Sequence, residues 1–105
     1  MIQHVVVFRF RGGALDERRE HARVAADHLN AMRGHIPGMS QLTVSFDLSG
    51  DPGHWDMSLV SQHDSRAALA DYIAHPLHLA AKSIIDDIVE TRAIVDSEIN
   101  GKAAQ

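Results

Sequence analysis

From Ile2 to Arg11, apolar groups fall on both parities, with His4, Val6, Phe8 and Phe10 on one side and Val5 and Val7 on the other. β-Branched and aromatic residues favour a strand, and a strand apolar on both faces is covered on both faces. Gly12-Gly13 marks a turn. Helical spacing follows in Leu15, Ala22, Ala25, Ala26, Leu29, Met32 and Ile36, which predicts a helix capped by Asp16 and running to about Gly34. Ile36-Pro37-Gly38 ends it, since Pro lacks an N–H and Gly accepts unusual dihedrals. Met39 to Leu48 alternates as a half-buried strand, and Trp55 to Gln62 reads as a third strand with Met57, Leu59 and Ser61 on one face. Asp64 or Ser65 can cap a helix that meets His75-Pro76, where a residue before Pro is pushed out of helical dihedrals. A second helical piece carries Leu77, Ala80, Ala81, Ile84, Ile85 and Ile88, and Thr91 to Ile99 reads as the last strand.

The order β-α-β-β-α-β predicts an α+β, ferredoxin-like fold: a four-stranded antiparallel sheet with the helices on one face. The other face is then bare, although the first strand is apolar on both sides. An identical subunit is the simplest cover, which predicts a homodimer joined through the sheets. Residues 1–99 read as one domain and residues 100–105 as a flexible tail.

Composition narrows the function classes. The chain has 105 residues, 45% of them apolar, which is enough for one small core. Ten basic against 14 acidic side chains leave a net charge of −4, so no basic footprint for nucleic acid or anionic lipid exists. With no Cys there is no thiolate ligand or cysteine nucleophile. The short apolar runs and the start Met1-Ile2-Gln3-His4 predict neither a membrane span nor a signal peptide, hence a cytoplasmic protein. No GxGxxG or Walker pattern is present.

The opening Met1–Arg11 stretch, the Ile36-Pro37-Gly38 exit, Trp55-Asp56-Met57-Ser58-Leu59-Val60 in the third strand, Asp71-Tyr72-Ile73-Ala74-His75-Pro76-Leu77-His78 and Ile94-Val95-Asp96 together resemble the stress-responsive A/B barrel (Dabb) family. The resemblance covers nearly all of residues 1–99, and Tyr-x-x-His-Pro-x-His is its most specific piece. It implies a dimeric α/β barrel. A plant cyclase of that family closes a linear polyketide without a cofactor, and the resemblance places its catalytic Tyr and His at Tyr72 and His78 and a pocket His at His4. Met57 stands where that cyclase has a further His, and Ala22, Ala25 and Ala26 replace its bulky aromatics.

On this reading His78 is the base beside a substrate carbonyl, Tyr72 the donor to the developing enolate, and His4 a residue that orients His78 or holds substrate. A pocket between helices and sheet would be lined by Val6, Phe8, Met57, Leu59, His75, Ile94 and Asp96, and would take a small apolar or carbonyl-containing molecule with no cofactor. The bland alternative has Tyr72 packed under the sheet and His75 and His78 capping the break at Pro76. The protein would then be a non-catalytic stress-related or ligand-binding dimer. A cofactor-free monooxygenase-like barrel is a third reading, resting on fold analogy. His75-x-x-His78 has metal-ligand spacing, but Pro76 breaks the helix face it needs, and no metal ligand is assigned. Asp96, in an otherwise apolar strand, calls for a partner in His4 or His78. His21, His28 and His35 form a solvated line on the first helix, and Trp55 belongs to the core or a pocket rim.

Overall fold

The computed structural model describes residues 1–99; the tail predicted at residues 100–105 lies outside them. Among the described residues the chain forms β1 (Ile2–Phe10), α1 (Leu15–Asn30), β2 (Met39–Phe46), β3 (Met57–His63), α2 (Arg66–Ala74), α3 (Pro76–Ile88) and β4 (Val89–Glu98). The sheet is antiparallel with strand order β2-β3-β1-β4, as the predicted ferredoxin-like fold requires.

Period-two alternation sets the layers. In β1 the side chains of Ile2, His4, Val6, Phe8 and Phe10 are buried against the helices, and the residues between them face the other way. Register carries this parity across the sheet. His4 stands opposite Ser61 on β3 and Asp96 on β4, Val6 opposite Leu59 and Ile94, and Phe8 opposite Met57 and Arg92. Ala22, Ala25, Ala26 and Leu29 of α1, with Ala81 and Ile85 of α3, close the core over these rows. Three alanines in α1 let its backbone lie close to the sheet. The opposite face carries Val5, Val7, Val60 and Ala93, with Val95 64% exposed.

Several boundaries differ from the sequence reading, each for a local reason. Helix α1 opens at Leu15 behind an extended Ala14 with no side-chain cap, so Asp16 sits inside the first turn facing the positive end of the helix dipole. It ends at Asn30 rather than near Gly34, because Met32 and Arg33 donate to carbonyls three residues back. Strand β2 stops at Phe46, where the Asp47 carboxylate takes the Gly50 N–H at 2.7 Å and turns the chain. Leu48, predicted half-buried, is 94% exposed. Strand β3 begins at Met57 and includes His63. Strand β4 begins at Val89, directly after α3.

The Trp55-Asp56 pair has a structural task. The β1–β3 ladder ends at Phe8↔Met57, and the β1–β4 register shifts at Arg9/Phe10. The Phe10 N–H donates instead to Asp56 Oδ2 at 2.8 Å, and the Asp56 N–H donates to the Phe8 carbonyl at 2.8 Å. Trp55 lies under the Arg9 guanidinium, 5.0 Å from its ring centre. Gly38 (φ 77°) is required where it stands, since an added Cβ would come within 2.8 Å of the Ala68 Cβ.

Candidate functional site

The break between α2 and α3 aims the chemistry. Ser65 caps α2 by accepting from the Ala68 N–H at 3.0 Å. Pro76 forces His75 into extended dihedrals (φ −66°, ψ 138°), and His75 Nδ1 accepts the Leu77 N–H at 3.1 Å as the cap of α3. The two helices therefore meet at an angle rather than in line, and Tyr72 and His78 are brought edge to face with ring centres 4.6 Å apart.

Both line a cavity of about 390 Å³ between the sheet and the helices. His4, Val6 and Phe8 of β1, Leu59 of β3 and Ile94 of β4 supply the floor predicted from sequence. Leu29, Ile73, Leu79 and Ile85 add helix-side walls, and Lys82 and Arg92 add positive charge. Three residues predicted for the lining are placed elsewhere. Met57 is buried in the core, and His75 is committed to capping α3. Asp96 reaches His4 from the strand edge with its side chain 45% exposed, so it is not the buried carboxylate the sequence suggested.

The hydrogen bonds assign the tautomers. His4 Nδ1 lies 2.5 Å from Asp96 Oδ1, and a carboxylate accepts, so Nδ1 carries the proton and Nε2 offers a lone pair. His78 Nδ1 donates to the Ile73 carbonyl at 2.9 Å, which likewise leaves Nε2 as an acceptor. His4 orients toward Asp96, not His78 as one sequence reading had it. Burial pushes the His78 imidazole below its usual range; the bond to Ile73 opposes this, and the positive charges of Lys82 and Arg92, and of His4 when that ring is protonated, add to it. His78 is therefore neutral near pH 7, the form a base needs. Tyr72 is fully buried, and burial pushes its phenol up to about 12, so its hydroxyl stays protonated and able to donate. Among the described residues that hydroxyl has no hydrogen-bond partner.

Sequence reasoning missed His63, because the third strand was read as ending at Gln62. Extending the Met57, Leu59, Ser61 parity by one step finds it. His63 is fully buried, meets Ser61 Oγ at 2.9 Å through Nε2, and lies 4.9 Å from Tyr72 between ring centres. Burial holds its pKa low, aided by His4 when that ring is protonated. His21, in the predicted solvated line, is partly buried and meets the Arg11 carbonyl at 2.7 Å, whereas His28 and His35 are exposed.

Residues 2–99 match the family model described as the stress responsive A/B barrel domain. An uncharacterized protein of Streptomyces coelicolor is 32% identical over 85 residues, which cover 80% of this chain and 86% of that protein. A crystal structure from Bacteroides fragilis, described as a dimeric protein of unknown function with a ferredoxin-like fold, superposes with a TM-score of 0.80 at 27% identity, covering 93% of this chain and 95% of that one. A hydroxynitrile lyase from Passiflora edulis shares the fold, with a TM-score of 0.77 at 15% identity, covering 96% and 94% of the two chains.

Proposed function

The chain belongs to the stress-responsive A/B barrel family, and from that premise we propose that it is a homodimer, joined through the open sheet face, whose cavity converts a small carbonyl compound without a cofactor. The dimeric description of the Bacteroides fragilis neighbour supports the assembly. So does the Val5, Val7, Val60 and Val95 face, which would otherwise expose apolar surface to water. The reaction class is that of a cyclase or lyase. One observation carries it: a buried phenol whose hydroxyl is unpartnered among the described residues stands beside a neutral imidazole with a free Nε2, both on the wall of one apolar cavity.

In this reading His78 Nε2 takes a proton from the carbon beside a carbonyl. The C–H electron pair moves into the enolate, and the Tyr72 hydroxyl, keeping its proton, donates a hydrogen bond to the oxygen that gains charge. The enolate carbon then attacks a second carbonyl carbon of the same molecule. The resulting alkoxide recovers the proton from His78, so the enzyme ends as it began. His4, fixed by Asp96, presents Nε2 to a substrate hydroxyl or enol. The same pair would serve cleavage of a carbonyl adduct, the direction in which the passion-fruit neighbour's lyase name points.

A second reading is a binding protein with the same cavity and no turnover. It is favoured by the use of both His75 and His78 in bonds to the backbone around Pro76. Incorporation of solvent deuterium into the methyl group of an aryl methyl ketone, followed by NMR, separates the two. The enzyme reading predicts exchange about a hundredfold or more above buffer, lost in His78→Ala. Saturable binding with exchange at the buffer rate would establish the binding reading instead.

A further inference from the structure

The cavity has a charged side that the proposed chemistry does not use. Lys82 on α3 and Arg92 on β4 both line it, together with Ile94. Both reach the same carboxylate: Lys82 Nζ donates to Asp86 Oδ2 at 2.8 Å, and Arg92 donates to Asp86 Oδ1. Asp86 itself lies outside the lining. Two cations thus share one anion, an excess of one positive charge at the rim of a largely apolar cavity. An ammonium has three N–H donors and a guanidinium five, so several remain without a protein acceptor among the described residues.

We propose that Lys82 and Arg92 form a carboxylate-accepting rim, so that the molecule taken into the cavity is an apolar carbonyl compound ending in a carboxylate. This deepens the reading above and rests on the same cavity. The bridging of Asp86 shows that the two side chains can close on one carboxylate, one at each oxygen. An incoming carboxylate would take their remaining donors or replace Asp86, whose side chain is 42% exposed and free to turn to water. Charge-assisted bonds of this kind strengthen where apolar walls lower the local dielectric. The apolar body of the ligand would then run inward along Phe8, Leu59 and Ile94 toward Tyr72 and His78, placing its carbonyl at the deep end. With Asp86 in place, a carboxylate suits this rim better than a phosphate monoester, which would bring close to two negative charges against one excess positive one.

Calorimetry tests the rim with two probes of one shape, 4-acetylbenzoate and its methyl ester, and with inorganic phosphate, each against wild type and a Lys82→Gln/Arg92→Gln double variant checked for folding by circular dichroism. The account predicts that wild type binds the carboxylate about tenfold more tightly than the ester, that the preference shrinks as salt rises, and that the double variant brings the ratio to about one. Equal affinity for acid and ester in wild type overturns the rim and leaves the cavity reading standing. So does a preference that survives in the double variant. Phosphate binding as tight as 4-acetylbenzoate overturns the choice of carboxylate. Binding of neither aromatic probe overturns the cavity reading, and the rim with it.

Discussion

At the residue scale, the buried polar groups decide what the site does and what it costs. Tyr72 is the chain's single tyrosine, so its ionisation can be followed alone by absorbance. The folded-state pKa of about 12 lies above the ordinary phenol value of 10.0, so folding favours the protonated form. Stability attached to it is complete below about pH 10 and falls as pH rises toward 12. Alkaline melts should show this decline in wild type and not in Tyr72→Phe. The imidazoles of His63 and His78 have the opposite sign. Their folded pKa values lie below 6.5, so the unfolded chain binds more protons and stability falls as pH drops below about 6.5. Ser61 and His63 form a buried pair through Nε2, while His63 Nδ1 has no partner among the described residues. Ser61→Ala should cost about 1–3 kcal/mol by leaving His63 Nε2 unpartnered, and Ser61→Ala/His63→Phe should recover most of it, because removing both partners leaves no orphan. Chemical denaturation of the three proteins checks the order; a double variant weaker than the single would contradict it.

At the scale of elements, the break at His75-Pro76 sets the geometry of the site. His75→Ala should lower stability by about 0.5–1 kcal/mol, the ordinary value of a lost helix cap, as read by thermal melts. A loss of several kcal/mol would mean that His75 does more than cap α3. The break was legible in the sequence, because proline's effect on the residue before it is local. So was the parity of β1, since alternating burial needs only a fixed period of two. Strand ends were less legible. Phe46 ends β2 because the carboxylate of the next residue, Asp47, captures the N–H of Gly50, and β4 starts at Val89 because α3 runs into it without a turn. The cavity's aromatic and imidazole residues were found through the resemblance carried by the Tyr72–His78 string. Lys82 and Arg92 were not, because only the approach of α3 to β4 brings residues ten apart to one carboxylate. Met57 was assigned to the lining by a parity that is correct, yet the helices above it fill that part of the layer.

At the scale of the molecule, one face of the sheet is sealed by helices and the other is not. If the open valine face is the subunit interface, Val95→Glu, at the centre of a β-edge pairing with Val5, places a charge there. Sedimentation should then shift from twice the chain mass of 11.5 kDa toward the single chain. A wild-type protein that sediments as a monomer at micromolar concentration would contradict the interface. The cavity lies on the other side of the sheet, between it and the helices of the same chain, so Val95→Glu should leave 4-acetylbenzoate binding within about twofold. A much larger loss would tie the cavity's shape to the assembly.

The central claim is that Tyr72 and His78 act as one unit on a carbonyl compound. A double-mutant cycle on the deuterium exchange of an aryl methyl ketone tests it most directly, with Tyr72→Phe, His78→Ala and the two together, at pH 7.5. Groups that act on one transition state are strongly non-additive. The account predicts that each single substitution removes most of the acceleration and that the pair removes little more. Two losses that simply multiply, or a wild-type rate no faster than buffer, would contradict it.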